Sequence, residues 1–167
     1  MTDSTSIAPI LCAVDFSTDS HAAVLWACTQ AELTGASLII LHVVHDPAAS
    51  PGFYRQLPAD QLRPMEKIAE EMMDAFLTEV RAENPERTRL ASASIQLASG
   101  LPPGRIVEIA ETLGVSLIVV GSRGRTGLPH VLLGSVAERV VQIAQVPVAV
   151  IKAQAGKEAA KEAAKAD

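Results

Sequence analysis

From residue 10 to residue 151, short apolar runs alternate with stretches in which apolar residues recur every three or four positions. The first run, Ile10–Val14 (ILCAV), stops at Asp15. Ser17 or Thr18 then caps a helix, with Asp19 in its first turn. Ala22, Leu25, Trp26, Thr29 and Leu33 share one face of that helix, and Gly35 ends it. Ser37–Val44 (SLIILHVV) is a second buried strand. The stretch 46–60, with Pro47, Pro51, Gly52 and Pro58, is a loop of above-average length. Met65, Ile68, Ala69, Met72, Phe76 and Val80 form the inner stripe of the longest helix, which stops near Asn84-Pro85. Leu90–Leu97 (LASASIQL) alternates as a strand with one face less buried, or one nearer the sheet edge. Pro103 suits the first turn of the next helix, whose inner face is Ile106, Ile109, Ala110 and Leu113, with Gly114 as its stop. A fourth strand spans Ser116–Val120 and a fourth helix starts near Ser135, burying Val136, Val140, Ile143 and Ala144. Val146–Ile151 (VPVAVI) closes the series as a fifth strand.

Strands alternating with helices predict an α/β fold with a mainly parallel sheet and right-handed crossovers. Near-continuous apolar strands require both sheet faces to be covered. In such sheets ligands bind beyond the carboxyl ends of the strands, where the strand order reverses. Asp15 ends the first strand and Gly121 the fourth; if these strands are neighbours, both residues face one crevice.

The chemistry concentrates between Leu117 and Ser135, LIVVGSRGRTGLPHVLLGS. An apolar run stops at Gly121, and Gly124, Gly127 and Gly134 follow before the next helix. Glycine accepts positive φ and lets backbone approach a ligand closely. Backbone N–H groups turned inward beside a helix N-terminus suit phosphate. A glycine-rich surface turn is the plainer alternative, but the spacing and the helix start favour an anion site.

Composition narrows the possibilities. A chain of 167 residues is one domain by length and large enough for a sizeable core. Hydrophobic residues make up 49%, yet no apolar run approaches the roughly 20 residues that span a bilayer, which predicts no membrane insertion. The polar start MTDSTSIAPI does not resemble a signal peptide. A net charge of −5 argues against a nucleic-acid surface. Cys12 and Cys28 read as small buried hydrophobes rather than a disulfide, so a cytoplasmic location is expected. Of the four histidines, His42 and His45 point to opposite faces if their strand continues. His21 and His130 have no acid or cysteine at ligand spacing, so no dedicated metal site is expected.

ILCAVDFS, LIILHVV, GLPPGRIVEIAETLGVSLIVVGSRG and LLGSVAERVVQIAQVPVAVIK together resemble the universal stress proteins, of the ATP-binding kind, over about residues 9–152. The Gly-x2-Gly-x9-Gly-Ser signature of that kind stands at Gly121, Gly124, Gly134 and Ser135. The resemblance implies a flavodoxin-like open sheet of five parallel strands, order 3-2-1-4-5, with helices on both faces. It implies that Ala13, Val14 and Asp15 lie along the adenosine, with Asp15 near the ribose. It implies that Val43 offers backbone to the adenine edge and that Gly121 approaches the ribose, while Gly124, Gly134, Ser135 and Val136 cradle phosphates. Ser135 also suits the N-cap of the fourth helix, and Asp15 also suits a cap on the turn after its strand. Arg123 and Arg125 occupy variable positions of the motif; Arg123 is a candidate phosphate partner, and Arg125 reads as surface. Ser116, where many members carry an acid, lies at the strand's opposite end.

The expected cofactor is ATP, with Mg²⁺ held mainly by its phosphates as an option. No Walker lysine motif, serine elbow or paired carboxylates stand out, so enzyme status stays open, with slow ATP hydrolysis the most to be expected. The resemblance further implies a homodimer around the edge strand Val146–Ile151, whose Pro147 lacks a ladder donor. Residues 1–152 then form the domain, and 153–167, ending AGKEAAKEAAKAD, a solvated or frayed tail. The expected function is a nucleotide-dependent regulatory homodimer of the stress response, with an unidentified protein partner. The alternatives are a slow ATPase or nucleotidyl-transfer enzyme, and a dimeric interaction module whose pocket is empty or holds AMP or ADP.

Overall fold

The computed structural model describes residues 7–45, 63–124 and 133–154. The proline-bearing loop at 46–60, Arg125, Gly127, His130 and the tail from residue 155 lie outside the described residues. The strands are β1 (Ile10–Ala13), β2 (Leu38–His45), β3 (Ser94–Gly100), β4 (Leu117–Gly121) and β5 (Val148–Ile151). The helices are α1 (Thr18–Thr34), α2 (Arg63–Glu83), α3 (Thr88–Ala91), α4 (Pro102–Thr112) and α5 (Ser135–Ile143). All four strand pairs are parallel, in the order β3-β2-β1-β4-β5. The parallel α/β class is the one expected from the alternation, and the strand order is the one implied by the family resemblance. The sheet grows one way from β1 to β3, then restarts on the other side with β4. β1 and β4 are therefore neighbours across the switch point, and their carboxyl ends open a crevice.

Strand alternation divides the core in two. Ile10, Cys12, Val14, Leu38, Ile40 and Val119 pack against α1 and α2. Leu11, Ala13, Ile39, Leu41, Val43, Ile118 and Val120 pack against α4 and α5. Both faces of the inner strands are thus covered, which explains their unbroken apolar character. Cys12 and Cys28 are both buried free thiols.

Several faces differ from the sequence expectation. α1 turns Ala23, Val24, Ala27, Cys28 and Ala31 to the sheet, whereas Leu25, Trp26 and Thr29 are half-buried and Leu33 is 76% exposed. Its apolar residues encircle the helix, and the small ones win the inner face because they allow closer approach. In α2 the inner stripe is Ala69, Met73, Phe76, Leu77 and Val80, while Met65 and Ile68 are exposed. The third strand begins at Ser94 rather than Leu90, because Leu90 is buried by the one-turn helix α3 instead. α4 buries Val107 with Ile106 and Ala110, and leaves Leu113 36% exposed. α5 buries Ala137 and Val140, with Ile143 and Ala144 only partly covered. The last strand starts at Val148, although the Pro147 carbonyl still accepts from Ile118 N–H at 3.0 Å. At the opposite end of the sheet from the crevice, the Ser116 hydroxyl bonds the carbonyls of Ala8 and Pro9.

Candidate functional site

The crevice between the ends of β1 and β4 is a cleft of about 290 Å³. Its walls come from the end of β1, the end of β2, the first turn of α4, the loop after β4 and the first turn of α5. Ala13, Val14, Asp15, Val43, Gly121, Arg123, Gly124, Gly134, Ser135 and Val136 all line it. Residues up to 124 positions apart in the chain thus meet on one surface, from Ala13 to Ala137.

Asp15 is held by its own turn. Its Oδ1 accepts from Ser17 N–H at 3.1 Å and from the Ser20 hydroxyl at 2.6 Å, while its N–H donates to Ser20 Oγ at 2.9 Å. The other carboxylate oxygen points to Gly124, where an added Cβ would lie 2.9 Å from Oδ2. One oxygen caps the turn and the other faces the cleft. Between Asp15 and Ser17, Phe16 adopts φ 66°, a conformation that costs a bulky residue about 1–3 kcal/mol. Its ring packs on His42 at 4.3 Å and edge-on to Phe76 at 5.6 Å, which holds the turn in place. His42 also lines the cleft, with Nδ1 2.8 Å from the Val14 carbonyl.

The glycines act by what they lack. None of Gly121, Gly124 and Gly134 has a positive φ, contrary to the conformational part of the sequence argument. At Gly121 a Cβ would meet the Asp19 carbonyl carbon at 2.9 Å and Ser20 N at 3.0 Å, so α1 can start only against bare backbone. At Gly134 a Cβ would come 3.3 Å from the Ser122 carbonyl, which accepts from Gly134 N–H at 2.7 Å. That bond pins the two ends of the glycine loop together. Gly134, not Ser135, is the N-cap of α5, and no side chain caps the helix there. A glycine cap and an intrahelical acceptor only from the fifth residue on leave the first-turn amides at the cleft wall. Val136 is 38% exposed at this wall rather than buried in the core.

Sequence reasoning missed what lies beneath the loop. Asp19 is only 3% exposed, and its Oδ2 accepts from the Ser122 hydroxyl at 2.7 Å and Arg123 N–H at 3.0 Å. Arg123 Nε lies 3.4 Å from the same oxygen, and Oδ1 accepts from Ala153 N–H at 3.0 Å. Burial alone would raise this carboxyl, but bonds from Ser122, Ala153 and Arg123 outweigh it and hold Asp19 below the usual carboxylate range. Its first-turn position in α1 was the one signal available, and it reads as a helix-dipole residue. Ser20, Ser122, Pro102, Ile106 and Ala137 also line the cleft without having stood out. Among the described residues no group of three His, Cys, Asp or Glu is arranged to hold a metal ion.

The universal stress protein family model matches residues 7–152. The chain belongs to the universal stress protein family. This universal stress protein is 32% identical to YxiE of Bacillus subtilis over 152 residues, 86% of this chain and 97% of YxiE. For several other curated relatives the match spans 33% to 47% of the relative's length. Among solved structures it resembles MJ0577, with TM-score 0.69, 27% identity and coverage of 90% of this chain and 99% of that one. A universal stress protein from Archaeoglobus fulgidus, solved in complex with dAMP, matches with TM-score 0.56 and 25% identity, covering 89% and 100% of the two chains.

Proposed function

We propose that the cleft binds an adenine nucleotide, ATP, and that its occupancy regulates a cytoplasmic stress-response homodimer. One observation carries the reading: three glycines, at which a Cβ would be blocked (Gly121) or crowded (Gly124, Gly134), line one cleft with the uncapped start of α5 and Asp15. Bare backbone and first-turn amides suit phosphate oxygens, and a fixed carboxylate suits ribose hydroxyls. The family member crystallised with dAMP lends the ligand class support. Gly124, Gly134, Ser135 and Val136 then cradle phosphates, Gly121 and Asp15 meet the ribose, and Ala13, Val14 and Val43 follow the adenosine. Arg123 neutralises Asp19, which keeps the floor of the cradle from repelling an anion. Any Mg²⁺ would be held mainly by the phosphates, with the chain supplying position rather than a cage.

Binding rather than turnover is favoured by how the candidate bases are held. Oδ1 of Asp15 is committed to Ser17 and Ser20, and His42 sits under Phe16 with one nitrogen on the Val14 carbonyl. β5 is the edge strand on which the dimer is proposed to form, with all four residues partly exposed and Val141 of the neighbouring α5 48% exposed. The domain is taken as residues 1–152, with the remainder a tail.

Denaturing freshly purified protein should release an adenine nucleotide identifiable by mass spectrometry. In Gly124→Val the side chain would push on Asp15 Oδ2, whose partner oxygen is fixed, and fill the cradle. ATP affinity by calorimetry should fall more than about tenfold, while the urea midpoint stays close to wild type. Undiminished affinity would place the phosphates elsewhere.

A further inference from the structure

Asp19 is the one charged side chain that is buried among the described residues. Burying a carboxylate is costly unless its lone pairs are satisfied, so its partners are informative. They fall into two groups, one on each oxygen. Oδ2 holds Ser122 and Arg123, the first two residues after β4 and part of the cleft wall. Oδ1 holds the N–H of Ala153, two residues beyond the end of the edge strand β5 and outside the cleft lining. Ala153 is itself buried, at 8% exposure, although it stands where the chain leaves the sheet. A second link runs alongside, from Ser122 N–H to the Ile151 carbonyl at 2.7 Å. The loop that faces the cleft and the segment leaving β5 are therefore fastened to one rigid planar group. In a water-poor site, a change in the charge or position of either set of donors alters the bond on the other oxygen.

We propose that Asp19 is a positioning residue that couples the nucleotide loop to the chain leaving β5. The proposal rests on the nucleotide reading of the cleft for its ligand, but not for the coupling itself. A phosphate that draws on Arg123 or shifts Ser122 changes the bond at Ala153. By reciprocity, whatever engages the segment beyond β5, a second copy of this chain at the edge strand or a partner on the tail, changes phosphate affinity by the same factor. A ligand carrying phosphate moves the coupling; the nucleoside alone, which does not reach the loop, does not.

Amide exchange and amide resonances in the full-length protein test this. Without ligand, Ala153→Pro removes the donor to Oδ1, besides fixing φ at that residue, and the Arg123 amide should exchange at least about threefold faster. The carboxamide of Asp19→Asn offers an acceptor at only one end. The Arg123 or the Ala153 amide should then exchange about ten- to a hundredfold faster, as expected for loss of a hydrogen bond to a charged group. With saturating ATP the Ala153 resonance should shift in the wild type, should not shift with adenosine, and should stay still in Asp19→Asn. If Asp19→Asn does not fold, Ser122→Ala, which deletes one donor to Oδ2, should change Ala153 exchange in its place. Arg123 exchange indifferent to Ala153→Pro, or an ATP-induced Ala153 shift that persists without the carboxylate, overturns the coupling. Failure of ATP to bind the wild type overturns the nucleotide reading instead, and the ligand-free exchange still decides the coupling.

Discussion

Single glycines in the loop carry different burdens, and the difference lies in what each would strike. Gly121 faces backbone, the Asp19 carbonyl carbon at 2.9 Å and Ser20 N at 3.0 Å, neither of which can swing aside. Gly121→Ala should therefore lower unfolding free energy by about 1–3 kcal/mol, as overpacking does, visible as a lower urea midpoint with unchanged slope. Gly124 faces the tip of one carboxylate, so its replacement falls on the ligand more than on the fold. The spacing of these glycines was readable in the chain, but the reason for each was not. Positive φ was the natural argument, and among the described residues it occurs at Gly35, Gly100, Gly114 and, unexpectedly, Phe16. A bulky residue held left-handed beside Asp15 has no sequence signal, because its ring contacts with His42 and Phe76 arise only on folding. Asp15 shows the same limit: cap and ligand group looked like alternatives, and two oxygens allow both roles.

At the scale of elements, the start of α1 is the junction of the site. Ser17 is the N-cap, its Oγ accepting from Ser20 N–H at 3.1 Å and donating to the Arg123 carbonyl at 3.3 Å. Asp19 in the next turn ties α1 to the ends of β4 and β5. Its carboxyl is held below the usual range, so the folded state binds the proton more weakly than the unfolded chain. The resulting stabilisation is present above the unfolded pKa of about 4 and is lost as pH falls through the lower folded value. The stability gap between wild type and Asp19→Asn, from urea midpoints, should be full at pH 7 and narrow steadily on acidification below about pH 4. A gap independent of pH would mean that the charge contributes nothing. The cap and the first-turn acid were legible from residue type, but not their partners. The inner face of α1 was misread because its large side chains are flankers, and its contact face is alanine, which leaves no amphipathic stripe.

At the scale of the whole molecule, one sheet carries two separate cores, and each free cysteine is sealed in the same one. Burial pushes the Cys12 thiol far above its ordinary range, and burial with Glu32 beside it pushes Cys28 up to about 11. Native protein at pH 8 should thus resist alkylation by iodoacetamide at both positions, and both should react once denatured, as mass spectrometry would show. Labelling of either in the native state would indicate local opening of the α1 face. No helix among the described residues is long and apolar enough to cross a membrane. The sequence by itself determined the number of strands, the parallel class and the family, because these follow from local periodicity and from short motifs. The strand order was implied only by the family resemblance, and the β1–β4 pairing that opens the crevice is seen in the fold. Tertiary structure alone decided which face of α1 and α2 is inward, that Leu90 belongs to a helical turn, and that Gly134 rather than Ser135 caps α5. It also decided that Asp19, distant by 134 positions from Ala153, joins the cleft to the end of the sheet. Those outcomes depend on which neighbours a residue meets across the fold, and pairwise meeting at long range leaves no periodic trace in a single chain.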